Sequence, residues 1–457
     1  MEAVNLIAQK RCGKIKGRTC ANGARQRRFV SDDDSFASPT ASLEAILTTL
    51  MIDAYEERDV TIPDVPGAYL HAEFSKDKRV ILKLNSDFVD IMCDVNPECG
   101  NHVIYKTNKK GRKTKYLYVK VLRALYGCLE SALLWYDLYS STLQKLGFIL
   151  NDYDKCVANK IINGKQCTVV FNVDDNKISH ADPEVVTSVI NDISKHFGKL
   201  TVSRGKKHDY LGMNIELKDR KVHIEMRHQL LEALEWGGKQ KGRMPATSAL
   251  SNLFDQKEDD ELLPAELADT YHSVVQKLMY VCKCARPDIK PALSYLCTKV
   301  SNPSVCDQDK LFRLLDFIKN SLDDKRVIGT TSLERLITWV DAAFATHVNE
   351  RSHTGGTMSF GVVVIHPKSS KQKLNTKSST EAELVDVSEY LPYHIWVDIQ
   401  YFFIKDRVKS GAIEVEYCPT DKMVADFFTK PLQGSMFSMY RKAVMGHDMG
   451  DLIDNQS

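Results

Sequence analysis

Apolar residues recur at helical spacing in SLEAILTTLMIDAYEE (42–57), and Ser38-Pro39-Thr40 ahead of it predicts a capped helix. VTIPDVPGAYL (60–70) has the β-branched content of a strand, which Pro63 and Pro66 must confine or end. LESALLWYDLYSSTLQKL (129–146) reads as an amphipathic helix with Gly147 as its stop. In QCTVVFNVDDNKISH (166–180) two extended runs flank Asp174-Asp175-Asn176, which is turn chemistry, so a hairpin with two acids at its tip is predicted. A helix (DPEVVTSVINDISKHF, 182–197) and a strand pair (HDYLGMNIELKDRKVHIEM, 208–226) follow. DQKEDDELLPAELAD (255–269) reads as an acidic linker or exposed helix start, and 270–322 as mostly helical. A second β-rich unit begins at LERLITWVDAAFA (333–345) and continues in TGGTMSFGVVVIH, whose glycines and β-branched residues suit a hairpin. Ser378-Ser379 then caps a helix that opens at Thr380-Glu381.

At about 150 residues per domain, 457 residues imply two to four domains. Apolar (43%) and charged (27%) fractions are ordinary globular values, which excludes collagen-like, wholly disordered and membrane-bundle classes. No apolar run approaches the roughly 18 residues of a membrane span, and the basic N-terminus has no apolar core behind it, so neither a membrane partner nor a secretory signal is expected. Twelve cysteines contain no CxxC pair. Zinc-finger and thioredoxin-like sites thereby lose their signature, and reduced, buried thiols of an intracellular protein are expected.

The net charge of +2 hides clustering. Residues 10–28 carry eight Lys or Arg and no acid, and Lys106 to Lys120 interleave Tyr105, Tyr116 and Tyr118. Basic groups attract phosphates and aromatic faces stack on bases, so nucleic acid is a candidate partner; a solvated basic surface or a localisation signal is the plainer alternative. Phosphoryl transfer needs carboxylates converging around magnesium, a hard ion that takes oxygen ligands. Asp174 and Asp175 suit such a site if Asp64, set in an apolar strand-like run, approaches them. Asp341, Glu381 and Asp426 form a second constellation, at a strand end, a helix start and in MVADFFTKPL.

Together these segments resemble the polymerase part of a copia-type LTR retrotransposon polyprotein, from about residue 14 to 434. The family's K-x-R-x-V opening resembles Lys14 or Lys16 to Arg18 in KIKGRTCANG; its DV-x-x-AFL strand resembles Asp64-Val65-Pro66-Gly67-Ala68-Tyr69-Leu70. ALYGLKQ-x-x-x-xW is similar to Ala124 to Glu130 followed by Trp135, YVDD to Asn172-Val173-Asp174-Asp175, and YLG to Tyr210-Leu211-Gly212. Further on, the family's RNase H motifs resemble Trp339 to Ala345, Arg351 to Gly355, Ser378 to Leu384 and Ala425 to Leu432.

The resemblance implies an α+β fold: a right-hand reverse transcriptase palm with partial fingers (1–225), a largely helical thumb or connection (226–332), a truncated RNase H-like α/β domain (333–434) and a tail (435–457). It implies that Asp64, Asp174 and Asp175 hold Mg²⁺ (or Mn²⁺) to polymerise DNA on RNA, and that Asp341, Glu381 and Asp426 hold the ions that cut RNA in a hybrid. Lys14, Lys16, Arg18, Tyr126, Gly127, Tyr210 and Gly212 would contact nucleic acid or nucleotide. RNA template, DNA primer, RNA–DNA hybrid and deoxynucleoside triphosphates are the implied partners; the cytoplasm, a cytoplasmic virus-like particle or the nucleus is the implied location, and the oligomeric state is left open.

Departures from the family pattern bear on activity. Asn172 stands where a large residue is usual, Asn176 where a hydrophobic one follows the acids, and Glu130 where Gln is expected, its charge unfavourable to a triphosphate. Only about a dozen residues precede the K-x-R motif. The family's further RNase H Asp finds no counterpart between Glu381 and Asp426, which are only 45 positions apart, so that unit is expected to be internally deleted and defective, with Asp398, in the strand-like VDIQYFF, a weak substitute. No protease-like Asp-Thr-Gly and no integrase-like His/Cys cluster occurs, so a fragment of such a polyprotein is expected. The rival reading is a decayed, non-catalytic nucleic-acid-binding remnant.

Overall fold

The structure, a computed structural model, describes residues 1–9, 13, 15–29, 36–107, 111, 113–236, 244–256, 260–361, 363–402 and 416–447. Lys14 lies outside them, and Lys16 is described by its backbone alone, in the strand Ile15–Ala21.

A six-stranded antiparallel sheet carries the first group of acids. Its order is Thr201–Arg204, Asp59–Asp64, Asp175–His180, Lys165–Asn172, Val157–Ile162 and Ile149–Leu150. The alternation of a strand sends neighbouring residues to opposite faces. Val60, Ile62, Val157 and Val170 join one core, while Ala158, Cys167, Val169, Phe171 and Ile178 join another. Both faces are covered, which is why Val169, Val170 and Phe171 run on without a polar residue between them. The second core is closed by helices Ser131–Lys145 and Pro183–Phe197, through Trp135, Tyr139, Leu143, Val186, Ile193 and Phe197. The first is closed by helix Leu43–Tyr55, capped by Ser42, whose hydroxyl accepts the Ala45 N–H. The observed cap, Ser42, stands two residues beyond Thr40, the last residue of the predicted Ser38-Pro39-Thr40 cap.

The strand pair expected over 208–226 is three strands, Lys207–Tyr210, Met213–Lys218 and Lys221–Glu225, and a fourth, Arg326–Gly329, completes their sheet. Between them in sequence, helices Ala265–Cys284, Lys290–Cys297 and Val305–Asn320 bury apolar side chains in the same core as Ile215, Val222, Ile224 and Ile328. A third sheet orders strands Ile337–Ala343, His353–Ser359 and Val364–Lys371. Helix Ser379–Phe402 lies against it. VDIQYFF, expected as a strand, continues this helix to Phe402: once the Ser378 hydroxyl has capped its first turn, propagation costs less than restarting as a strand. Asp398 is thereby on helical backbone, its side chain outside the described residues.

Ahead of the central sheet stand the hairpin Ala3–Gln9/Ile15–Ala21 and a sheet of Ile81–Leu84, Lys113–Lys120 and Ile104–Thr107. Among the described residues no helix is long and apolar enough to cross a membrane.

Candidate active sites

Strand register brings the first acids together. Asp175 is the cross-strand partner of Asp64, so their side chains leave the sheet on the same face. Asp174 sits in the two-residue loop between Asn172 and Asp175, which pair with each other. The loop's first residue, Val173, has φ +60°, a left-handed conformation that is costly for a β-branched side chain. It is held there by Trp135, whose indole N–H donates to the Val173 carbonyl at 2.6 Å.

Aromatic and basic groups approach from elsewhere. The Tyr126 hydroxyl donates to Asp174 at 3.4 Å, the Tyr69 ring lies 4.5 Å from that of Tyr126, and the Arg18 guanidinium sits 4.9 Å above Tyr126. Burial, then the negative charge of Asp174, pushes the Tyr126 phenol up to about 12; the same two causes raise Tyr69. Tyr69 was not among the residues nominated from sequence. Its signal was its place five residues after Asp64 in a segment that turns back over the sheet, the short helix Ala68–His71.

The remaining nominees divide. Tyr210 is 1% exposed, and its phenol has no hydrogen-bond partner among the described residues; burial first, then Asp175, raises its pKa. It is a core residue beneath the carboxylate and presents no surface to a nucleotide. Gly127, at φ +88°, packs so closely on the Ala21 carbonyl that a β-carbon would collide with it, which fastens the segment before Trp135 to the N-terminal hairpin. Leu211 and Gly212, both at positive φ, form the turn between paired Tyr210 and Met213. Glu130 is buried in an ion pair with Lys78, so the charge feared at that position is neutralised.

A second carboxylate group lies on the third sheet. Asp341 stands near the end of strand Ile337–Ala343, and Asp426 opens the short helix Asp426–Thr429. The Lys430 ammonium lies 2.7 Å from Asp426 and 3.6 Å from Asp341, and the Thr429 hydroxyl donates to Asp341. Burial, with Asp341 adding to it against the pull of Lys430, lifts Asp426 to about 6. Glu381 does not join this group by any described contact: it is exposed and its carboxylate accepts the Lys377 N–H at 2.6 Å, as a helix cap. Glu383 is the acid that faces Asp341 and Asp426; burial and then Asp341 raise its pKa, while the Ala342 N–H opposes them. One turn further, Asp386 is fully buried, and neither of its oxygens has a hydrogen-bond partner among the described residues. Burial pushes it up to about 8, helped by Glu383, Asp341 and Glu389 and opposed by Lys368. Position two residues past Glu381 puts a side chain across the helix, and sequence alone does not say which face meets the sheet.

Among the described residues, no three His, Cys, Asp or Glu side chains are gathered tightly enough to hold an ion as they stand. By chemistry, the all-carboxylate set Asp64, Asp174 and Asp175 is the hard-oxygen set that magnesium takes.

The family model described as reverse transcriptase (RNA-dependent DNA polymerase) matches residues 5–235, which spans both Arg18 and the three acids. The chain belongs to this reverse transcriptase family. Among its relatives is the "Retrovirus-related Pol polyprotein from transposon TNT 1-94" of Nicotiana tabacum, 22% identical over 487 residues that cover 95% of this chain and 34% of the relative. The "Retrovirus-related Pol polyprotein from transposon RE1" of Arabidopsis thaliana is also 22% identical, covering 94% and 30%. The "Transposon Ty1-ER2 Gag-Pol polyprotein" of Saccharomyces cerevisiae is 24% identical, covering 95% and 26%. The family member described here thus spans about a third or less of those polyproteins, and it is of their copia type. Among solved structures, apo telomerase from Candida tropicalis superposes with a TM-score of 0.31 at 9% identity, over 71% of this chain and 64% of that one.

Proposed function

We propose that the chain is an RNA-directed DNA polymerase acting on an RNA template, a DNA primer and deoxynucleoside triphosphates, with an incomplete RNase H-like unit at its C-terminal end. The observation that carries the reading is the cross-strand pairing of Asp64 with Asp175, beside Asp174 at the hairpin loop. In the reaction the primer 3′ hydroxyl attacks the α-phosphorus and pyrophosphate leaves. Magnesium held by Asp64, Asp174 and Asp175 would neutralise charge on the phosphates. The rest falls to this chain's own groups. Arg18 offers a guanidinium to phosphate oxygens, and Tyr69, stacked near Tyr126, offers a ring against the incoming nucleotide. Exposed Tyr105 and Tyr118, on the sheet that carries Lys106, Lys113 and Lys120, suit a template strand. The protein's contribution is position and charge, not covalent chemistry. Such a protein would act in the cytoplasm, in a particle assembled there, or in the nucleus.

For the C-terminal unit, Asp341, Glu383 and Asp426 are the acids we assign to hybrid cleavage, with Glu381 a cap. Lys430 lying between two of them favours a second reading for this half alone, a remnant that holds hybrid without cutting it. Primer extension on RNA with Mg²⁺ tests the polymerase: the native chain should extend, and Asp174→Asn with Asp175→Asn should not. Equal inactivity of both chains, with salt-sensitive template binding intact, overturns the reading in favour of a binding remnant throughout.

A further inference from the structure

Asn176 departs from the family pattern by placing a polar side chain where an apolar one is usual, and it does so in the core: its exposure is 0%. Its Oδ1 is buried without a hydrogen-bond partner among the described residues, which a hydrophobic residue of similar size would avoid. The compensation lies in its amide nitrogen. Nδ2 donates to the Asp174 carbonyl at 2.9 Å and to the Pro63 carbonyl at 3.4 Å. One NH₂ group has two hydrogens, so both bonds form together.

The two carbonyls are not arbitrary. Pro63 immediately precedes Asp64, and Asp174 is itself one of the acids. The register that pairs Asp175 with Asp64 and Ile178 with Thr61 sets Asn176 opposite Pro63. Proline has no N–H to give to a ladder, so the sheet is weakened at the position next to Asp64. The Asn176 side chain supplies a donor there and ties the same point to the loop that carries Asp174.

We infer that Asn176 is a positioning residue of the polymerase carboxylates, clamping the Asp64 strand to the Asp174 loop through the Pro63 and Asp174 carbonyls. The inference rests on the polymerase reading above. Misplacement of a reacting group by a fraction of an ångström lowers turnover without touching substrate contacts. Asn176→Val fills the space and removes both bonds; Asn176→Asp keeps the shape but turns acceptor oxygens toward two carbonyls.

The test measures primer extension on an RNA template, primer–template affinity and Mn²⁺ binding by electron paramagnetic resonance, on the full chain and both variants. Asn176→Val should lower kcat tenfold or more, leave KM for the nucleotide and the primer–template Kd within about twofold, and weaken Mn²⁺ binding. Asn176→Asp should be worse in kcat. Unchanged kcat and Mn²⁺ affinity in Asn176→Val would overturn the inference while leaving the polymerase reading intact. So would kcat, KM and Kd worsening together with a collapse of the melting transition, which marks a purely structural residue. A native chain that neither extends primers nor binds Mn²⁺ overturns the polymerase reading itself, and this inference with it.

Discussion

The Trp135 indole N–H donates to the Val173 carbonyl at 2.6 Å, joining a helix core to the one left-handed residue of the acid-bearing loop. Trp135 is 1% exposed and packs edge-on to Phe197, so the donor cannot swing away. Trp135→Phe keeps most of the packing and leaves the carbonyl unbonded. It should cost about 1–2 kcal/mol in denaturant unfolding, and it should lower primer-extension kcat more than template affinity. An unchanged kcat in a correctly folded variant would show that the loop holds its shape without the indole.

Glu381 and Glu383 should separate by substitution. Glu381→Gln weakens a helix cap and should cost roughly 0.5–1 kcal/mol, with no effect on Mn²⁺ binding by the C-terminal unit. Glu383→Gln should weaken that binding in a chain whose polymerase acids are replaced by Asn. The opposite ranking in a Mn²⁺ titration would restore Glu381 to the site.

Asp386 makes stability depend on pH in a predictable direction. Its folded-state pKa, about 8, is above the ordinary carboxylate value, so the folded chain keeps a proton that the unfolded chain releases. The stability it contributes is therefore lost as pH rises from about 4 to about 8. Relative to native, Asp386→Asn should gain on the order of 3–4 kcal/mol between pH 4 and pH 7. Parallel unfolding curves for the two chains across that range would refute the assignment.

Three buried histidines act in the acid direction. Burial holds His347 down to about 4, and His353 and His366 down to about 3. His347 shares a hydrogen bond with His353, His353 with Ser369, and His366 with Thr48. The unfolded chain takes up these protons below about pH 6.5 and the folded chain does not, so stability present above pH 6.5 is lost on acidification. Each should cost on the order of 2 kcal/mol by pH 5. His366→Gln should flatten the melting temperature's fall between pH 7 and pH 5; an unaltered slope would exclude it.

Local signals account for what was legible beforehand. The existence of the hairpin, the helix beginning at Ser131, the stop at Gly147 and the Ser378 cap depend on interactions within a few residues, whereas the hairpin's turn falls at Val173-Asp174, one residue ahead of Asp174-Asp175-Asn176, where Trp135 holds the Val173 carbonyl. The pairing of Asp64 with that hairpin could be proposed because motif order implied it, not because spacing did. The strand Arg326–Gly329 was not legible, because its partner, Lys221–Glu225, lies about a hundred residues earlier and only tertiary closure brings them side by side. VDIQYFF reads as a strand in sequence because a β-branched, aromatic run carries no mark of the helix that reaches it from a cap some eighteen residues upstream.

The sequence by itself determined the family and the acids on the central hairpin, because each is written in residue order or local chemistry. Only the tertiary structure decided that Glu383 and not Glu381 faces Asp341 and Asp426, that Lys78 neutralises Glu130, and that Asn176 bonds the carbonyls beside two of the acids. Each of these depends on which face of an element meets which neighbour. That choice is made by the packing of the whole core, over contacts far apart in the chain, and no local propensity encodes it.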